Sequence, residues 1–236
     1  MNPESVLYEV ADHIATITLN RPAQRNALNF DAYDRLEAAF RRAANDPEAR
    51  CVIVTGADPA FCSGDDVREI MTGPKSVSAQ ASAPVVRHRP TPAAIAALEC
   101  DKPVIAAVNG PAVGWGMELT LYADIRIASE KAVFSELFIK RGLVCDVGGF
   151  YRLPSIVGPA KAAELLFTGD IISAQEAERI GLVSQVVPAA ELQETAMAMA
   201  RKIAANPPIA LRYMKEGLRR SVHGSMAEMG EYVGNS

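Results

Sequence analysis

The sequence predicts an α/β fold with a helical C-terminal region. Three observations carry that expectation. Strand and helix patterns alternate from residue 1 to about 150, the order that builds a layered α/β core. Two apolar runs, "CVIVTGA" and "KPVIAAVNG", are rich in β-branched residues or alanine and end at a glycine, as buried strands do where the chain must turn. In the second half, "PAKAAELLFTGD", "SAQEAERIGL", "AELQETAMAMARKIAAN" and "PIALRYMKEGLRRSV" read as helices.

Taken in order, "HIATITLN" sets Ala15, Ile17 and Leu19 on one side and Thr16 and Thr18 on the other, a strand alternation. "RPAQRNALN" is a loop. "FDAYDRLEAAFRRAAND" places Phe30, Tyr33, Leu36 and Phe40 at helical spacing, and Pro47 closes the helix. "DPAFCSGD" is a loop, and "DDVREIM" opens a helix with acids in its first turn, where the dipole favours them. Residues 72–92 are rich in Pro, Ser and Ala, lack periodicity and are predicted as a surface loop. "AAIAALEC" and "GMELTLYAD" read as helices, "IRIAS" as a strand, and Gly181 as a helix stop. The expected division is a core over residues 1–190 and a helical region over 191–236.

With 236 residues, 49% of them hydrophobic, the chain is ample to bury a core. A net charge of -4 argues against a nucleic-acid partner, which calls for a basic excess. No apolar run approaches the roughly 18–20 residues that cross a bilayer, so no membrane partner is expected. "MNPESVLYEV" has neither the charged nor the apolar region of a signal peptide. Cys51, Cys62, Cys100 and Cys145 form no C-x-x-C pair, and none of His13, His88 and His223 lies near a cysteine at ligand spacing. Reduced thiols, a cytoplasmic location and no metal are the expectation.

Two segments share one design: "VIVTGADPAFCSGDDV" and "VIAAVNGPAVGWGMEL" each run strand, glycine-bearing turn, helix. Glycine admits positive φ and close approach of a ligand, and the first turn of a helix leaves N–H groups without intrahelical partners. Two such turns brought together offer two N–H donors to one oxygen, an oxyanion hole. The plainer reading is a pair of ordinary βα loops. No G-x-G-x-x-G or Walker A loop follows either strand, and no G-x-S-x-G marks a serine hydrolase.

"LNRPAQRNALN", "AFCSGDDV", "KPVIAAVNGPAVGWGMELTLYADIRIAS", "GLVCDVGG" and "TGDIISAQEAERIGLVSQVVP" recur in the order and spacing of one family. Over nearly its whole length the chain resembles the enoyl-CoA hydratase/isomerase family, the crotonase superfamily. The resemblance implies a spiral of ββα units with a helical C-terminal region. It also implies a homotrimer or a hexamer of two trimers, and a lyase or isomerase of fatty acid metabolism. The substrate would be an acyl-CoA thioester, with no cofactor because coenzyme A is part of the substrate. It puts oxyanion donors at the backbone N–H of Asp65 and Trp115 and the acid/base at Glu118. The Asp65 carboxylate should point away from a developing enolate, and the Trp115 indole should stand close to the acyl pocket. Contacts to coenzyme A or the acyl group are implied at Arg25, Ala27, Ser63, Gly64, Asp66, Gly114 and Phe138. Arg87, His88 and Arg89 are further positions at which loop charge meets phosphate or solvent.

Three departures from the family pattern matter. Its second glutamate, where present, falls at Phe138, and a phenyl ring moves no proton. Glu136 lies two residues earlier and, if "AVFSELF" is a strand, shares a face with Phe138 at about 6–7 Å. Asp146, just before a glycine pair, resembles an acid of some family isomerases; its other reading is an N-cap. The family continues past "YMKEGLRRSV" with a helix that covers the acyl pocket, so relative to it residues 191–236 are short of that element. Burial in "GMELTLY" should raise the Glu118 pKa toward neutrality, which suits proton transfer in both directions. One such base suffices to move a double bond, whereas adding water usually takes two acids. Isomerisation is therefore slightly favoured over hydration, with an inactive acyl-CoA-binding or scaffold protein as the alternative.

Overall fold

Asp12 and His13 both adopt positive φ, 52° and 62°, and turn the first two strands into an antiparallel hairpin. The computed structural model describes residues 4–71, 90–222 and 224–234. In chain order its elements are β1 (Val6–Ala11), β2 (Ile14–Leu19), α1 (Phe30–Asn45), β3 (Cys51–Gly56), α2 (Pro92–Glu99), β4 (Val104–Val108), β5 (Ala112–Val113), α3 (Trp115–Tyr122), β6 (Ile125–Ser129) and β7 (Val133–Ser135). They continue with α4 (Leu153–Val157), α5 (Pro159–Thr168), β8 (Ile172–Ser173), α6 (Ala174–Arg179), β9 (Gln185–Val187), α7 (Leu192–Ala204), α8 (Pro208–Ser221) and α9 (Met226–Gly234). Of these, β1 carries no clear alternation in the sequence: it is an edge strand, and its last three residues are exposed.

Six strands form one sheet in the order β1-β2-β3-β4-β6-β9, parallel from β2 onward. Both faces are covered, which is why β3 and β4 read as continuous apolar runs. Val52, Val54, Val104, Ala106 and Val108 pack on one side with Leu36 and Phe40 of α1 and the alanines of α2. Ile53, Ile105, Ala107 and Ile127 pack on the other with Leu192, Ala196, Ala200 and Ala204 of α7. The 191–236 region, expected as a unit apart from the core, thus gives α7 to the core itself. A small residue every fourth position lets that helix lie close against the strands.

α1 begins where the Asn29 side chain accepts the Ala32 N–H at 2.9 Å, and it ends just before Pro47. Its buried face runs through Ala32, Leu36, Ala39, Phe40 and Ala43. The expected stripe needs correction here: Phe30 is 40% exposed. Leu36 and Phe40 with three alanines set the core-facing line, and Tyr33 packs at its margin. "DDVREIM" forms a single π-helical turn, Val67–Met71, in place of an α-helix. Residues 72–89 of the predicted loop lie outside the described residues; Thr91 then caps α2 by accepting the Ala94 N–H at 3.3 Å. Gly181, at φ 78°, follows the end of α6 as a stop should.

A second sheet of β5, β7 and β8 stands beside the first. β7 ends at Ser135, and residues Leu137–Arg141 wind into a 3-10 turn. Glu136 and Phe138 therefore do not share a strand face, and the expected spacing between them does not apply. Among the described residues no helix is long and apolar enough to cross a membrane.

Candidate functional site

The first glycine turn is built on a buried asparagine. Asn26, 1% exposed and at φ 56°, accepts the Arg21 N–H through Oδ1 and donates through Nδ2 to the carbonyls of Ala57 and Ala60, at 2.8 and 2.7 Å. Asparagine tolerates the left-handed region, and its amide ties the loop before α1 to the segment after β3. From sequence this segment reads only as a loop, since two carbonyl partners more than thirty positions away leave no local pattern. Asn26→Ala should cost about 2–3 kcal/mol in a urea or guanidinium titration, because it strands buried carbonyls as well as removing bonds.

Beyond it, Leu28 N–H donates to Gly64 O and Asp66 N–H to Leu28 O, both at 2.8 Å. That alternation puts the Asp65 N–H on the side away from Leu28. Gly64 sits at φ 88°, a conformation that suits glycine. The second turn is laid alongside: Cys62 N–H donates to Pro111 O and Val113 N–H to Cys62 O, both at 3.0 Å. Gly114, at φ 54°, donates its N–H to Ser135 O at 2.8 Å. Within α3 the Met117 and Glu118 N–H groups return to Gly114 O, so those of Trp115 and Gly116 precede the first closed turn. A Cβ placed on Gly64 would lie 3.4 Å from the Trp115 nitrogen. The two turns therefore meet, and with Phe138, Arg141 and Leu143 they line a cavity of about 90 Å³. A second cavity, about 290 Å³, opens between α1 and the start of α2, with Tyr33, Ile70 and Pro92 on its wall; Asp65 borders both.

Glu118 is fully buried in α3. Its Oε1 accepts the N–H of Asp146 at 2.9 Å and of Gly149 at 3.0 Å, and its Oε2 accepts the Tyr122 hydroxyl at 3.0 Å. Burial pushes its pKa up to about 7; the charge of Asp146 adds to the rise, and the three hydrogen bonds oppose it. The glycine pair is required by space: a Cβ on Gly148 would lie 2.2 Å from Glu118 Oε2, and one on Gly149 3.1 Å from Oε1. Asp146 is half-buried, and its carboxylate accepts the N–H of the next residue, Val147, at 2.7 Å. Asp146 stands directly before the helical residues that start at Val147, and its carbonyl accepts the Phe150 N–H at 3.4 Å, so it holds the N-cap position as well as a place near Glu118. Its N–H orients Glu118, and the charge of its carboxylate acts on that acid.

The Trp115 indole is 3% exposed and wedged edge-on between Tyr33 (ring centroids 4.9 Å apart) and Tyr122 (5.9 Å). Each tyrosine also holds a carboxylate: Tyr122 holds Glu118, and the Tyr33 hydroxyl donates to Asp65 Oδ1 at 2.5 Å. The Asp65 side chain is thereby turned toward α1. Tyr122 is readable in hindsight, four residues after Glu118 on one helix face; Tyr33, on a distant helix, is not.

The implied coenzyme A positions separate into two groups. Arg25 is exposed, its carbonyl accepts the Ser63 N–H at 3.1 Å, and Ser63 borders the first cavity. Ala27 and Asp66 are buried and face Arg21 instead: the Ala27 carbonyl accepts from its guanidinium, and Asp66 pairs with it at 3.0 Å. Arg87, His88 and Arg89 lie outside the described residues.

The sequence model of the enoyl-CoA hydratase/isomerase family matches residues 9–232. The chain belongs to this family. It is 37% identical to the short-chain-enoyl-CoA hydratase of Clostridium acetobutylicum, over 94% of this chain and 84% of that one. It is 36% identical to the 1,2-epoxyphenylacetyl-CoA isomerase of Escherichia coli K12, over 91% and 82%. The crystal structure of an enoyl-CoA hydratase from Bacillus anthracis superposes with a TM-score of 0.88 at 35% identity, covering 98% of this chain and 88% of that one. This hydratase/isomerase-family enzyme therefore has the crotonase fold, with its two glycine turns and Glu118 gathered at one end of the parallel sheet.

Proposed function

We propose that the enzyme acts on an acyl-CoA thioester through an enolate, with Glu118 as acid/base, and that it moves a double bond in preference to adding water. The observation that carries this reading is the buried Glu118 in the helix that follows the second of two touching glycine turns, with Phe138, at the position where the resemblance implies a second glutamate, on the cavity wall. The Glu118 carboxylate takes a proton from the carbon next to the thioester carbonyl. The released electron pair moves through that carbonyl to its oxygen, which accepts hydrogen bonds from the N–H groups of Asp65 and Trp115. The same carboxyl then returns the proton two carbons along the chain, and the carbonyl re-forms with the double bond moved into conjugation. Losing one oxyanion donor in comparable sites costs roughly 3–4 kcal/mol. Coenzyme A, held at Arg25 and Ser63, is part of the substrate, and the step asks for no other cofactor.

Hydration is the second reading. It rests on Asp146, whose carboxylate stays beside Glu118 and supplies a second acid. For the proposed homotrimer, Ile209, Met214 and Leu218 of α8 offer exposed apolar surface to another copy.

Incubation with 3-enoyl- and 2-enoyl-CoA in deuterated water decides between the two readings. Deuterium at the α- or γ-carbon without added water supports isomerisation, and a 3-hydroxyacyl product supports hydration. No turnover of any thioester would leave only a binding protein.

The raised Glu118 pKa sets the acid limb. Because the ionised form is the base, kcat/KM should climb about tenfold per pH unit below about pH 7 and level off above it. In the unfolded chain the same carboxyl ionises near 4.5, so its contribution to stability is full below that value and declines as pH rises toward about 7. A kcat/KM profile flat from pH 5 to 8 would remove Glu118 from the base role.

A further inference from the structure

β7 is pinned to the second glycine turn, since Ser135 O accepts the Gly114 N–H. Glu136 follows directly and turns inward. It is 1% exposed, and neither of its carboxyl oxygens has a hydrogen-bond partner among the described residues. Phe138, two residues on, takes the place on the cavity wall. The chain thus brings a third carboxyl to the site from behind, not from the substrate side.

The groups that face Glu136 are Glu118 on α3 and Asp146 ahead of the glycine pair; Glu136 in turn acts on Tyr122 and on Cys145. None of these is a cation. A carboxylate there would lack hydrogen bonds and a counter-charge, and would face two acids, an expensive combination in a dry interior. Burial and those two acids accordingly hold its proton affinity well above that of an ordinary glutamate.

We propose that Glu136 is a positioning residue for the reaction: it stays a neutral carboxylic acid behind Glu118 and so keeps a third negative charge away from the forming enolate. The inference rests on Glu118 being the base. Ionised Glu136 would repel the enolate and make Glu118 slower to give its proton back. Wild-type kcat/KM should therefore fall again on the alkaline side, as Glu136 ionises. Cys145, pushed up to about 12 by burial, does not supply that limb.

Glu136→Gln keeps the size and fixes the neutral state. The expected result is a profile that retains its acid limb and loses the alkaline one. A structural role alone would change the melting temperature and leave both limbs in place. An alkaline limb at the same pH in Glu136→Gln overturns the proposal. Infrared spectra of the wild-type enzyme give a second reading that needs no variant. At about pH 8, a unit above Glu118, a protonated-carboxyl C=O band should persist; carboxylate bands alone overturn the proposal. Glu118→Gln separates the two inferences: an active Glu118→Gln enzyme removes the base reading, whereas an inactive one with an unchanged Glu136→Gln profile removes only this one.

Discussion

Glu118→Gln is expected to lower kcat by about 10²–10⁴-fold, the range for loss of a general acid/base, while binding of a CoA thioester stays within a few-fold. The substitution isolates proton transfer because the site accepts an amide. The amide oxygen can take the place of Oε1 and accept the N–H groups of Asp146 and Gly149. The amide nitrogen then faces the Tyr122 oxygen, which accepts in place of donating. Nothing in the packing changes, and a charge that costs stability above about pH 7 is gone. The variant should therefore melt no lower than wild type at pH 8, and higher if anything. Steady-state rates on enoyl-CoA, calorimetric binding of an unreactive thioester and a thermal melt form one experiment. Full activity in the variant would move the base elsewhere in the site, to Asp146 first.

What the sequence disclosed follows from how local each cause is. The two glycine turns were legible because a positive φ at Gly64 and Gly114 is a demand of the backbone at that residue. β2 was legible from its alternation, and β3 and β4 from continuous apolar runs that end near a glycine. Glu118 gained its meaning from the turn three residues before it. Other parts had no such local cause. Asn26 is fixed by carbonyls more than thirty positions away, and the Tyr33–Asp65 pair joins a helix to a turn with no shared motif. The inward face of Glu136 depends on β7 ending at Ser135, and a strand end set by pairing with β5 leaves little trace in composition. The helical pattern of 191–204 was plain, but its alanines did not say that the far side of the sheet was waiting for them.

Gly116→Ala is expected to destabilise the fold by about 3 kcal/mol or more, the upper part of the range for overpacking, and to lose activity with it. The sign alone is informative. Gly116 lies in α3, and alanine in a helix is worth about 0.5–1 kcal/mol over glycine, so propensity predicts a gain. Space predicts the opposite: a Cβ there would stand 2.1 Å from the Cys62 carbonyl oxygen and 2.7 Å from its carbon. Neither neighbour is a side chain that can swing away. Cys62 is held at both ends, its N–H donating to Pro111 and its carbonyl accepting from Val113. The added methyl must therefore push α3 off the first turn, and the distance between the two proposed oxyanion donors grows with it. A misplacement of about 1 Å at a reacting centre costs around 10²-fold in rate, so kcat should fall even in the fraction that folds. Gly230→Ala is the control, since a Cβ at that exposed helical position meets nothing within 4 Å and should be neutral or stabilising. Chemical denaturation and kcat on the pair test the idea. A Gly116→Ala protein as stable and as active as Gly230→Ala would mean that contact between the turns is not what assembles the site.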